Sequence, residues 1–315
     1  MVGKKKSAIM KRRGASRRSR GDRIFDAVNL ILITIFFIIM LYPLYFVIIA
    51  SISDIHQVGL GNVIWRPVGI NFDAYRQVLN HSAIWTGYRN SLIYTSLGVI
   101  YNLMLLLPLS YALSKKYLWG RGVVTWFFLF TMFFSGGLIP AYILRVIHLN
   151  INNTIWVMIL GSVSVWNMVV TRTYFMSSIP DELYESAEID GAGQIKSFFM
   201  IALPLAKPII AVMALFIGVG AWNSFFSAAI YLTRTDMFPL QLVLRSILIL
   251  NENIPMDSDL VGALAADVEE QVARQHLAMS MRYSTVFIGS APLLIAYPFV
   301  QKYFVKGLMI GSLKG

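Results

Sequence analysis

Six stretches of this 315-residue chain contain no Asp, Glu, Lys, Arg or His: residues 30–50, 90–114, 123–144, 151–171, 208–233 and 283–301. Each has the roughly 17 to 25 residues, or slightly more, that a helix needs to cross the hydrocarbon core of a bilayer. A soluble core can hide one such run, but six of this length point to lipid. The pattern predicts an all-α polytopic membrane protein with six transmembrane helices. Asp26 is expected to precede the first helix and Pro43 to bend it. Residues 53–85, which include Trp65, Pro67 and Gly69, read as a loop with a short amphipathic helix. A tight basic turn, 115–122, joins runs two and three, and residues 145–150 join three and four.

Composition agrees: 57% of the chain is hydrophobic and 14% charged, where soluble domains carry about a quarter charged residues. Basic residues decide orientation, because loops rich in Lys and Arg stay on the cytoplasmic side. Of the 27 Lys and Arg, 19 fall on the face that holds both termini and 8 on the other, so both termini are expected in the cytoplasm. Most of the net charge of +11 belongs to a basic arm, residues 1–23. Anchoring of that arm, helped by anionic membrane lipid, explains it better than nucleic-acid binding does. The first run is too long for a typical signal-peptide core and lacks a small-residue cleavage site, so an uncleaved helix is expected.

Two loops are long. Residues 172–207 form one on the cytoplasmic face and 234–282 one on the outer face, where Leu264, Val268 and Val272 stand at helical spacing. The outer loop is either a solvated lid or a docking surface.

Several chemistries find no support. The absence of cysteine excludes disulfides, thiolate metal sites and cysteine nucleophiles. His56, His81, His148 and His276 are scattered in loops without metal-ligand spacing, so no metal site is expected. The segment 191–197 imitates a phosphate loop, but Ile195 precedes Lys196 where that motif needs Gly. Ion-driven transporters keep an ionisable residue or a broken helix at mid-membrane. The six runs show neither, and the energy for transport should come from outside the chain.

Residues 178–204 carry the most specific pattern. Ser178 can cap a helix, Pro180 suits its first turn, and Asp181 and Glu182 favour the positive end of its dipole. Gly191 suits a left-handed stop. A second helix should run to Leu203, with Pro204 and Pro208 marking entry to the fifth span. Two short helices at an angle result.

This segment resembles the EAA loop of ABC importer permeases at Glu185, Ser186, Ala187, Gly191, Ile201, Leu203 and Pro204, with Ser186 in place of the usual Ala. Ile179, Pro180, Glu182, Leu183, Ile189, Asp190, Ala192, Leu205 and Pro208 are similar to the carbohydrate-importer branch. The likeness extends through Gly136, Gly137, Pro140, Trp222 and Asn223 to the C-terminus, where Lys306, Gly307, Lys314 and Gly315 resemble the maltose-type permease tail that reaches the ATPase. The 238–245 segment and Tyr297, Pro298 and Phe299 resemble the subgroup serving complex oligosaccharides, including uronates.

The resemblance implies a type I ABC importer permease fold: the arm 1–23, a permease domain 24–304 and a cytoplasmic tail 305–315. It implies a bacterial plasma-membrane location, a second homologous permease, two cytoplasmic ATPase subunits that bind ATP and Mg, and an extracellular solute-binding protein. The chain itself would hold no cofactor and catalyse nothing. Pro180, Glu182, Leu183, Glu185, Ser186, Ala187, Asp190, Gly191, Leu203 and Pro204 would couple it to the ATPase. Sugars are held by aromatic faces and amides, so Asn102, Asn167, Trp222, Asn223 and Ser227 are candidates for lining an oligosaccharide path. For Asn223, helix–helix hydrogen bonding competes with that role. A membrane scaffold that needs no ATPase and a secondary transporter are the rival classes.

Overall fold

The computed structural model describes residues 19–252, 281–298 and 301. It forms two compact units, Met1–Asn71 and Phe72–Gly315, and every regular element among the described residues is helical.

In the first unit, helix α1 (Arg20–Ser51) begins earlier than the sequence pattern suggests, so Asp26 lies inside it. Ser19 and Asp22 explain the early start. The Ser19 Oγ accepts the Gly21 N–H at 3.0 Å, and the Asp22 carboxylate accepts the Ser19 N–H at 2.9 Å. A reciprocal cap of this kind satisfies donors that a helix start otherwise leaves open. Pro43 sits within α1, which continues past it to Ser51. The chain then folds back along the helix through α2 (Ile55–Gly59). The Tyr42 and Tyr45 hydroxyls donate to the carbonyls of Ile64 and Trp65, and Asp54 and Ile52 exchange backbone bonds with Val68 and Asn71.

In the second unit, α3 (Asp73–Asn80) leads into α4 (Ser82–Ser114), the central element. Three later helices pack on α4: α8 (Val165–Ser178), α12 (Lys207–Trp222) and α14 (Leu240–Glu252). Small residues permit the approach. A Cβ on Gly87 would lie 3.0 Å from the Leu240 backbone, and Ser91 accepts the Leu240 N–H at 2.8 Å. Asn90 and Tyr94 donate to carbonyls of 236–238 and tie that segment to the same helix.

Three of the six apolar runs are interrupted, which corrects the expectation of six continuous spans. Among the described residues only α1 and α4 are long and apolar enough to cross a bilayer unbroken. In the third run α5 (Arg121–Phe133) stops, and α6 (Leu138–Ile143) leaves at 111°. The fourth is split into α7 (Trp156–Ile159) and α8. The fifth breaks at Asn223 and Ser224 between α12 and α13 (Phe225–Tyr231). Helix α15 spans 281–298 among the described residues and so covers 283–298 of the last run. Charge-free composition does not distinguish a continuous helix from one interrupted by Gly136, Gly137 and Pro140, or by Gly161. Broken helices are therefore present after all, and uncharged spans alone carry the argument against ion coupling.

Two apolar cores lie at opposite ends of α4. Leu106, Tyr111, Met168, Phe175, Phe198 and Met213 belong to one; Ile84, Trp222, Leu240, Leu244 and Ile288 to the other.

Candidate functional site

The loop between α8 and α12 stands on the first of these cores. Ile179, 3% exposed, plugs into it directly after α8 ends. Ser178 is the last residue of α8 and does not cap the next helix. The residue at the cap of α9 (Asp181–Ile189) is Pro180, with φ −60° and ψ 138°, which supplies no side-chain acceptor. The ring fixes the turn, and Asp181 and Glu182 occupy the first turn of α9, where the dipole favours them.

The end of α9 is closed by two bonds. The Ala192 N–H donates to Ala187 C=O at 2.8 Å and the Gly191 N–H to Glu188 C=O at 3.0 Å. This pattern requires a left-handed residue, and Gly191 has φ 74°. Then come α10 (Gln194–Ser197), a π-helical turn (Phe198–Ala202) and α11 (Leu203–Leu205). Pro204 lacks an N–H to continue the ladder, and the turn widens just before it. The chain next bends by 79° into α12.

Three consecutive residues after α4 hold this helix pair. The Lys115 ammonium lies 2.9 Å from the centroid of the Tyr184 ring and 4.7 Å from that of Tyr111. Lys116 pairs with Asp181 at 3.4 Å, and the Tyr117 hydroxyl donates to the Gln194 side-chain oxygen. Beneath them Tyr111 meets Phe175, Tyr184 and Phe198 with ring centroids 5.7, 6.1 and 5.0 Å apart. Burial pushes the Lys115 ammonium down to about 8, against the pull of Asp181. Burial, then the neighbouring Tyr111 and Asp181, pushes the Tyr184 phenol up. A cavity of about 400 Å³ lies in this corner, lined by Lys115, Asp181, Tyr184, Glu185, Glu188 and Gln194 among others.

The opposite side of α9 faces outward. Glu182, Leu183, Ser186, Asp190 and Gly191 are exposed, as is Ile189 at 87%, while Ala187 is half-buried; Glu185 is also exposed but lines the cavity. Leu203 and Pro204 lie at the base of the loop. The structure thus places the EAA-type residues 182–191 on α9 and its stop, and Ile201, Leu203 and Pro204 on the later turn and α11. Sequence reasoning missed the grip beneath it: Tyr111, Lys115, Tyr117, Tyr184 and Gln194 come from separate stretches, and only their residue types, aromatic and basic beside a span end, hinted at it.

The sugar-path candidates separate into two groups. Asn102 and Asn167 line one cavity of about 390 Å³ with Gly98, Ser162, Ser164 and Gly220. It opens where the fourth run is broken, and the Asn102 amide donates to Gly98 C=O at 3.0 Å. Trp222 is instead part of the other core, its Nε1–H donating to Gly289 C=O at 3.0 Å. Asn223 is exposed and Ser227 half-buried at the α12–α13 break. The C-terminal Lys306, Gly307, Lys314 and Gly315, the arm before Ser19, and Leu264, Val268 and Val272 lie outside the described residues.

Helices clad in exposed apolar side chains, with a braced helix pair at one end of α4, fit a membrane permease. The family described as binding-protein-dependent transport system inner membrane component matches residues 81–309, and the chain belongs to that family. It is a multi-pass, non-catalytic permease subunit of an ABC importer with the type I permease fold. The protein LplC of Bacillus subtilis (strain 168) is 33% identical over 94% of this chain and 97% of its own length. A polygalacturonan/rhamnogalacturonan transport system permease protein, YtcP, from the same organism is 32% identical over 93% and 99%. A crystal structure of a bacterial ABC transporter involved in the import of the acidic polysaccharide alginate aligns with a TM-score of 0.77, at 32% identity over 92% of this chain and 100% of the aligned one.

Proposed function

We propose that this chain is one of two homologous permeases of an ATP-driven bacterial importer for oligosaccharides, uronate-containing ones among them. Its loop 180–204 would dock on a cytoplasmic ATPase that binds ATP and Mg, and an extracellular binding protein would deliver the sugar. The observation that carries the reading is the two-sidedness of α9. Leu183 and Ile189 face outward as a small apolar patch, with the exposed Glu182 and Asp190 beside them in sequence, while the inner side, where Glu185 lines the cavity, is tied to α4 through Lys115, Lys116 and Tyr117. A partner that moves α9 must therefore move the end of α4, and α4 carries Asn102 to the cavity it shares with Asn167. Packed elements of this kind transmit displacement as rigid bodies. The exposed carboxylates beside that patch would set register with basic groups of the ATPase more than affinity.

The sugar class is supported by the relatives named for polygalacturonan/rhamnogalacturonan and for alginate, both acidic polysaccharides. Asn102 and Asn167 would line the path, with Trp222 as a packing residue and Asn223 and Ser227 at a break beside it. Lys306, Gly307, Lys314 and Gly315 would reach the ATPase. The testing experiment is purification of the tagged chain in mild detergent. A second permease and an ATPase should co-purify, with hydrolysis stimulated by uronate oligosaccharides plus binding protein. A chain that purifies alone and never supports hydrolysis overturns the proposal in favour of a scaffold, and uptake that needs a proton gradient overturns it in favour of a secondary transporter.

A further inference from the structure

Given the sugar path proposed above, on which this step rests, we infer that the cavity shared by Asn102 and Asn167 holds the carboxylate of a uronic-acid residue at the start of α8. Backbone N–H groups and the Asn167 amide take the place of a basic side chain there. Helix α8 begins inside the fourth apolar run, directly after the non-helical residues 160–164. Among the described residues the Val165 and Trp166 N–H groups have no acceptor, and the Asn167 N–H reaches the Ser164 hydroxyl only at 3.5 Å. First-turn N–H groups point back along the axis and carry the positive end of the helix dipole. Ser162 and Ser164, the residues they point toward, line the cavity of about 390 Å³.

Asn167 points to a ligand independently of the helix end. It is 8% exposed and lines the same cavity, yet its side-chain amide has no hydrogen-bond partner among the described residues. A buried amide left unpaired costs free energy that a bound acceptor recovers. Asn102 is placed for a different group. Its amide nitrogen is committed to Gly98 C=O at 3.0 Å, and a Cβ on Gly161 would lie 3.7 Å from that nitrogen. The free atom of Asn102 is therefore its carbonyl oxygen, which accepts from a sugar hydroxyl and disfavours a carboxylate. The two amides thus orient one sugar ring, acid toward α8 and hydroxyl toward α4.

No charged side chain lines the cavity. A carboxylate is favoured at the α8 end by donors and dipole alone. That partial compensation suits a path, because a guanidinium would clamp the group bidentately, whereas a permeating group must be held weakly enough to leave. Discontinuous membrane helices whose N-terminal ends face an anionic substrate work on the same principle.

The test uses the cysteine-free chain with its co-purifying partners in detergent and Ser162→Cys as the reporter, since Ser162 is exposed within the cavity lining. The rate of maleimide reaction at the introduced thiol is measured against increasing digalacturonate or neutral galactobiose. Digalacturonate should protect at about tenfold lower concentration than galactobiose. Asn167→Asp puts a carboxylate in the first turn of α8, which the dipole favours for folding, and should make digalacturonate no better than galactobiose. Val165→Pro deletes one donor at a position where helices accept proline, after a Ser164 whose φ of −64° and ψ of 124° already suit a residue before proline. It should cut the preference about threefold. Equal protection by the two sugars without these changes, or a preference that survives Asn167→Asp, overturns the carboxylate assignment and leaves the sugar path standing. Protection by neither sugar overturns the sugar path and the assignment with it. If Asn167→Asp does not assemble, Val165→Pro decides, and an undiminished preference there refutes the role of the α8 start.

Discussion

Lys115 shows how one side chain can be both a brace and a titrating group. Its ammonium faces the Tyr184 ring at 2.9 Å, an attraction that needs the charge, yet burial holds it near 8 rather than the ordinary 10.5. Between those two values the unfolded chain binds the proton and the folded one does not, so this site's contribution to stability rises with pH across that window. The melting temperature of wild type minus that of Lys115→Met should therefore climb from pH 8 to 10.5; a flat difference rejects the assignment. At neutral pH, Lys115→Met and Tyr184→Leu should assemble with the ATPase but stimulate it less on adding binding protein, because the docked helix no longer pulls α4. Undiminished stimulation in both variants would remove the brace from the mechanism. At Gly191 the φ of 74° makes a side chain cost about 1 kcal/mol. Gly191→Ala should lower the melting temperature slightly, and Gly191→Pro should uncouple ATPase activity from uptake. Gly191 was legible in the sequence because only certain residues tolerate that conformation. The Lys115–Tyr184 contact was not, since it joins separate elements through side-chain direction.

Elements differ in how plainly they announce themselves. α1 is continuous because a long apolar run in lipid can satisfy its backbone only by internal hydrogen bonds and because Ser19 and Asp22 close its first turn. The cap was written in the sequence, and reading only the charge-free run concealed it. Ser19→Ala should cost about 1 kcal/mol, seen as faster amide exchange in the first turn of α1 with the remainder unchanged. The third, fourth and fifth runs look equally apolar and yet break. Gly and Pro mark the third-run break, Gly161 the fourth, and Asn223 and Ser224 the fifth, but membrane helices often continue through such residues, so neighbouring packing settles the outcome. Gly87 is a comparable case: a mid-helix glycine in the sequence, it proves to be where α14 crosses α4. Gly87→Val should destabilise the complex by about 1–3 kcal/mol through overpacking, measured as a lowered melting temperature, with Gly98→Val less harmful because no neighbour lies within 4 Å of a Cβ there.

For the molecule as a whole, the absence of cysteine gives a clean background for topology. A single cysteine at Ser186 should react with an impermeant maleimide only in inside-out vesicles, and one at Trp65 only in intact cells; the reverse pattern would invert the proposed orientation. Asn102→Ala and Asn167→Ala should reduce uptake while retaining assembly, and normal uptake in both would remove that cavity from the sugar path. The chain's membrane residence, its all-helical class and the helix–stop–helix form of the 181–205 segment were legible in the sequence alone, because hydrocarbon tolerates only internally satisfied backbone and because α9 is built from local rules of proline turn, dipole and left-handed stop. Which runs stay continuous, which polar residues share a cavity, and how the loop is fastened to α4 were decided only by tertiary structure. Those outcomes depend on the energies of close approach between distant segments, and a one-dimensional pattern of polar and apolar positions does not record them.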